Sequence, residues 1–69
     1  MKAIIDYINS KEQDSEQEVD FEIGKCFNRG DYIYIKDEYE EELELKVNYK
    51  WFNLIENRLR IDTDSNKIS

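Results

Sequence analysis

The chain has 69 residues, 17 Asp and Glu against 10 Lys and Arg, a formal net charge of −7, no His, no Pro, two Gly and one Cys. That length holds one domain at most, built around a single small core. Without His it lacks the usual general base and the commonest metal ligand, one Cys makes neither an internal disulfide nor a thiolate zinc site, and no apolar run is long enough for a membrane span or a signal-peptide core.

Met1, Ile4, Ile5 and Ile8 recur at intervals of three and four, with Asp6 and Asn9 on the other side. The spacing predicts a short amphipathic helix ending near Lys11, which must dock its Ile stripe on a sheet because it is too short to stand alone. Residues 12–18 contain nothing apolar and read as a solvated connector. Val19, Phe21 and Ile23 alternate with Glu18, Asp20 and Glu22, the pattern of a half-buried strand. Gly24 reads as a bulge before Lys25, Cys26 and Phe27 resume it. Asn28-Arg29-Gly30-Asp31 is a turn signal in which Gly30 supplies positive φ.

Tyr32–Lys36 forms the next expected strand, with Ile33 and Ile35 on one face and Tyr32 and Tyr34 on the other. After a connection over Asp37–Glu41, the residues Leu43, Leu45, Val47, Tyr49 and Trp51 share parity, opposite Glu42, Glu44, Lys46, Asn48 and Lys50. A turn centred near Tyr39 sets Ile35 against Leu43, Ile33 against Leu45, Tyr34 against Glu44 and Tyr32 against Lys46. Residues 52–61 fit two patterns. Phe52, Ile55 and Leu59 share a helical face, whereas Leu59 and Ile61 alternate with Arg58 and Arg60; the tolerance of Asn57 for positive φ tips the reading towards a hairpin into a fourth strand. Residues 62–69 read as a frayed tail. The expected fold is therefore α+β: a short N-terminal helix packed on a small antiparallel meander of three or four strands over residues 1–61. Its core is expected to hold Ile4, Ile5, Ile8, Phe21, Ile23, Ile33, Ile35, Leu43, Leu45, Val47 and Trp51.

Little catalytic chemistry fits these residues. Cys26 has no His to activate it and reads as a small core hydrophobe beside Phe27, and a chain of this size has hardly room for a substrate cleft. Asp62-x-Asp64-x-Asn66 starts like a calcium loop, but Lys67 stands where Gly is required and no bidentate Glu follows. Arg29-Gly30-Asp31 spells an integrin-binding tripeptide within a turn that needs its Gly anyway. No enzyme activity, cofactor or metal is expected.

The acidic pattern stands out. Glu12, Asp14, Glu16, Glu18, Asp20 and Glu22 occupy every second position without an intervening cation, and Asp37, Glu38, Glu40, Glu41, Glu42 and Glu44 form a second block; together they hold 12 of the 17 carboxylates. Along an extended chain, alternate carboxylates stand about 6.6–6.8 Å apart. Such rows offer a charge density comparable with a phosphate backbone and would be drawn to a groove lined with Lys and Arg. A merely solubilising face mixes signs to avoid this self-repulsion, and Tyr32 and Tyr34 add amphipathic anchors on the side of Glu42 and Glu44. The expected binding residues are Glu18, Asp20, Glu22, Tyr32, Tyr34, Glu38, Glu40, Glu42 and Glu44, and the expected partner is the basic groove of a nucleic-acid-binding protein rather than nucleic acid or a membrane.

Two alternatives remain open: an assembly module whose acidic face only solubilises, and a single-stranded nucleic-acid binder using Lys46, Lys50, Arg58 and Arg60 beside Tyr49 and Trp51. The latter is opposed by the net charge and by the expectation that both aromatics are core. Ile, Asn, Lys and Tyr are favoured as in AT-rich genomes. In size, charge and expected architecture the chain resembles the small acidic inhibitors that phages and mobile elements direct at host nucleic-acid enzymes, of the anti-CRISPR, antirestriction and glycosylase-inhibitor types. That resemblance implies a non-enzymatic inhibitor acting in the cytoplasm of a bacterial host.

Overall fold

The computed structural model describes residues 2–67. Five strands and one helical turn follow in order: β1 (Lys2–Ile8), β2 (Asp14–Asp20), α1 (Phe21–Gly24), β3 (Tyr32–Lys36), β4 (Glu42–Asn53) and β5 (Arg58–Lys67). They form one curled half-barrel sheet ordered β2-β1-β5-β4-β3. Neighbours run antiparallel except for β1 and β5, which pair in parallel from Ala3↔Leu59 to Asp6↔Asp62.

This overturns the expected helix on a meander: 62% of the described residues are strand and 6% helical. The Ile4, Ile5 and Ile8 segment is strand because β1 lies inside the sheet, paired with β2 on one side and β5 on the other. Ala3, Ile5 and Tyr7 are buried on the inner face, and Ile4 is buried on the outer one. Ile4 beside Ile5, and Ile8 on the outer face, break the strand alternation, and the resulting spacing imitates a helical stripe. The place of Met1 in that stripe lies outside the described residues.

The polar connector is also strand. β2 has no apolar pattern of its own before Val19, and pairs along the whole of β1 from Lys2↔Asp20 to Ile8↔Asp14. The strand expected over Val19–Ile23 ends at Asp20, where the chain turns into α1, and no strand resumes at Lys25–Phe27. Cys26 is consequently exposed rather than core, its Sγ donating to the Glu22 carbonyl at 3.2 Å.

From the Asn28–Asp31 turn onwards the expectations hold further. Gly30 adopts φ 91°, and β3 pairs with β4 in the expected register. Asn57, at φ 57°, turns β4 into β5, so the hairpin reading of residues 52–61 is the right one. Residues 62–67, expected to fray, instead continue β5 along β4 past its last pair with β1 at Asp62, with Thr63 buried and its hydroxyl donating to the Asp6 carbonyl at 2.7 Å. The rest of that tail, residues 68 and 69, lies outside the described residues.

The core gathers Ala3, Ile5, Tyr7, Leu43, Leu45, Val47, Leu59 and Ile61 on the inner face, with Val19, Phe21, Phe27, Ile33 and Ile35 packed against it. Of the expected core, Ile8, Ile23 and Trp51 are exposed instead. α1 closes one end of this face. A Cβ built on Gly24 would overlap the Ala3 methyl and come within 3.4 Å of Ile61 Cδ1, so only Gly lets the helical turn sit that low on β1 and β5.

The other end is closed by two turns that clasp each other. Asn9, buried, folds its own turn by accepting from the Lys11 and Gln13 amides at 2.9 and 3.0 Å. Asp37, also buried, accepts from the Tyr39 and Glu41 amides at 2.9 Å and from the Ser10 amide at 2.8 Å, tying the β3–β4 turn to the β1–β2 turn. Burial acts to raise the Asp37 pKa, but these donors outweigh it and hold the carboxyl at about 2. The Ser10 hydroxyl makes no hydrogen bond of good geometry, so the lowering belongs chiefly to the three amides.

Candidate functional site

Cross-strand register defines which side chains share the face opposite the core. On β2, Asp14, Glu16, Glu18 and Asp20 all point outward, paired with Ile8, Asp6, Ile4 and Lys2 of β1. All four carboxylates are exposed on an edge strand. Two rows then cross the outer face: Glu16–Asp6–Asp62–Tyr49 and Glu18–Ile4–Arg60–Trp51. Tyr32 and Tyr34 stand on the same face of β3, opposite Lys46 and Glu44.

Arg60 organises the middle of this face. Its guanidinium reaches Asp6 at 2.9 Å, Glu16 at 3.1 Å and Glu56 at 2.9 Å. The hydrogen bonds it donates to Glu16 and Glu56 hold it charged more firmly than usual. Burial pushes the Asp6 pKa up despite the nearby Arg60, with Glu16 adding to the rise. Lys2 meets Asp20 at 3.5 Å. Among the described residues, Asp14 and Glu18 have no cation within ion-pair distance.

The expected binding residues are therefore divided. Glu18 and Asp20 stay together and gain Asp14 and Glu16. Glu22 leaves their row: it lies on α1, bound to Lys25 at 2.7 Å. Tyr32, Tyr34, Glu42 and Glu44 share the β3–β4 outer face, where Glu42 faces Lys36 and Glu44 accepts from the Tyr34 hydroxyl at 3.0 Å. That hydrogen bond raises the Tyr34 pKa, because the proton is held by the carboxylate. Glu38 and Glu40 sit in the turn, where Glu40 takes φ 62° and Glu38 accepts from the Ser15 hydroxyl at 2.8 Å. The Glu38 carboxyl is lowered by its own backbone amide and then by Ser15. The two acidic blocks thus occupy opposite edges of the sheet, meeting only at the clasp, and do not form one row.

Sequence parity missed the aromatic half of this face. A bulge between Val47 and Tyr49 inserts Asn48, whose side chain donates to Asp62 at 3.1 Å. Beyond it the alternation inverts: Lys50 and Phe52 fall opposite Ile61 and Leu59, while Tyr49 and Trp51 turn outward, 57% and 41% exposed. The only sequence signal was Lys50 lying between two aromatics, which is compatible with either parity.

Two open depressions of about 560 Å³ interrupt the surface. One, lined by Asp6, Asp14, Glu16 and Asp62, is acidic; the other lies by the bulge, between Arg29, Tyr49 and Lys50. There is thus more concave space than the length alone suggested. Asp62, Asp64 and Asn66, which start like a calcium loop in sequence, lie along extended β5. Among the described residues no helix is long and apolar enough to cross a membrane. No protein-family model, curated protein or solved structure matches this chain.

Proposed function

We propose that the protein is a non-enzymatic binding module whose outer sheet face docks in the basic, nucleic-acid-binding groove of another protein and blocks it. The observation that carries this reading is the joint placement of the β2 carboxylates and four exposed aromatics, Tyr32, Tyr34, Tyr49 and Trp51, on one face. Carboxylates spaced about 6.6–6.8 Å apart along β2 meet a Lys/Arg groove where phosphates would lie. The aromatics supply anchors that a solubilising surface does not need. Those same aromatics would stack bases, but the β2 carboxylates on the same face and the net charge of −7 repel phosphate.

The test uses immobilised wild-type protein and the variant Asp14→Asn, Glu18→Gln, Asp20→Asn, which leaves the Arg60 network intact. Basic proteins retained by the wild type should elute as salt rises and be displaced by competing duplex DNA. The variant, equally folded by circular dichroism, should retain them at least about tenfold less. Retention that neither duplex DNA nor the triple change affects refutes the reading and leaves the acidic face a solubilising one.

A further inference from the structure

We infer that β3 is a self-pairing edge: two copies of the chain join antiparallel through their β3 strands, about a twofold axis at Tyr34, into a ten-stranded sheet. This rests on the backbone of β3 and is independent of the proposed partner.

The direction of the free backbone groups follows from the ladder to β4. The Val47 amide donates to the Asp31 carbonyl at 2.8 Å, and the Asp37 amide to the Glu41 carbonyl at 3.0 Å. Bonded and non-bonded pairs alternate in an antiparallel ladder, so Ile33 and Ile35 bond to Leu45 and Leu43. The N–H and C=O groups of Tyr32, Tyr34 and Lys36 consequently point away from β4. No strand among the described residues takes them up, because β3 ends the sheet.

The two edges are not equally defended. Pairing β2 with β2 of a second copy would set carboxylate rows against each other, which is destabilising. β3 carries no charge from Tyr32 to Ile35 and no Pro. A twofold axis at Tyr34 pairs Tyr34 with itself, Ile33 with Ile35 and Tyr32 with Lys36. All outward-pointing groups of the strand are then bonded, like faces stay together, and within Tyr32–Lys36 no like charges face each other. Axes at Ile33 or Ile35 leave some of those groups unpaired.

Charge beyond the strand agrees. Extended past its ends, the same register brings the Arg29 turn of one copy beside the Glu38–Glu40 turn of the other. Arg29 has no carboxylate within ion-pair distance among the described residues of its own chain. Asp31 and Asp37, which would come level with each other, are turned into their own turns: Asp31 accepts from the Asn28 amide at 2.7 Å, and Asp37 from the three amides above. The contact is small, so the association is concentration-dependent and weak.

Sedimentation equilibrium and cysteine trapping test this together. The mass of the wild type should rise from one chain towards two between roughly 10 µM and 1 mM. In a Cys26→Ser background, Tyr34→Cys places two thiols at a bonded antiparallel pair, about 5.5 Å between Cα atoms, and should cross-link on mild oxidation at least ~10-fold faster than Tyr32→Cys alone. Combining Tyr32→Cys with Lys36→Cys should restore the fast rate. A mass that stays at one chain up to about 1 mM overturns the inference. So does growth beyond two chains, which marks head-to-tail β3–β2 pairing, and so do equal cross-linking rates for the two single variants.

Discussion

Gly24 is where α1 rests on β1, and Gly24→Ala tests that seating directly. The new methyl would overlap the Ala3 Cβ, and opening the pair to an ordinary carbon contact requires a shift of more than about 1 Å. No rotamer change can supply it, because both methyls are fixed to backbone and β1 is paired on both sides at Ala3, with Val19 and Leu59. α1 must therefore lift, loosening Phe21 from the core. Overpacking of this kind costs about 1–3 kcal/mol; from the middle of that range, about 2 kcal/mol, the better helix propensity of Ala takes back up to about 1 kcal/mol, leaving a net loss of about 1–2 kcal/mol. Urea unfolding followed by circular dichroism should show the midpoint falling by roughly 1–2 M. Ala3→Gly alone should cost about 1 kcal/mol, for a lost methyl and a strand glycine. The double variant should be more stable than the sum of the two by more than about 1 kcal/mol, because it moves the methyl across the contact. Additive losses, or an unaltered midpoint for Gly24→Ala, refute the seating of α1 on Ala3.

Two further outcomes concern the polar framework. Because Asp37 is held at about 2 in the fold against an ordinary 3.8, its stabilising effect is fully present above pH 4 and lost as pH falls through about 2. The stability gap between wild type and Asp37→Asn, measured by urea unfolding, should therefore close across that window; a gap independent of pH contradicts the clasp. Arg60→Met leaves Asp6 half-buried without its cation and should cost about 1–3 kcal/mol, the more exposed Glu16 and Glu56 contributing little. Adding Asp6→Asn should recover most of the loss in equilibrium unfolding, and no recovery would place the cost elsewhere.

What could be read from the residues depended on whether a strand keeps one wet face. β3 and the first half of β4 do so, and their parity gave both register and core: Leu43, Leu45 and Val47 are buried as expected. β1 carries isoleucines on both faces, with Ile4 and Ile8 on the outer one, so alternation vanished and Ile4, Ile5 and Ile8 imitated a helix. β2 and the end of β5 are strands because of their neighbours rather than their composition. Ser15, Gln17, Thr63 and Ser65 take inner positions through pairing with β1 and β4, which local propensity does not report. For the proposed binding face, alternation gave Glu18 and Asp20 but not Asp14 and Glu16, which lay in the expected connector, and it wrongly kept Glu22 in the row. It did not give Tyr49 and Trp51, since one inserted residue, Asn48, reverses the face of everything after it, and a bulge leaves no pattern before its partner strand is known.

The parallel pairing of β1 with β5 also decides how the protein bears mechanical load. Lys2 begins β1 at the end of the sheet where β5 starts, and Lys67 finishes β5 at the opposite end. Tension applied between these two residues pulls the paired strands past each other along their length, so the bonds across this seam are strained together in shear rather than peeled one by one. The hairpins on either side, β1–β2 and β3–β4–β5, meet in the sheet only through this seam. A chain pulled from those points should hold until the seam gives way at once, whereas a hook placed in the β1–β2 turn would unzip the same bonds sequentially at much lower force.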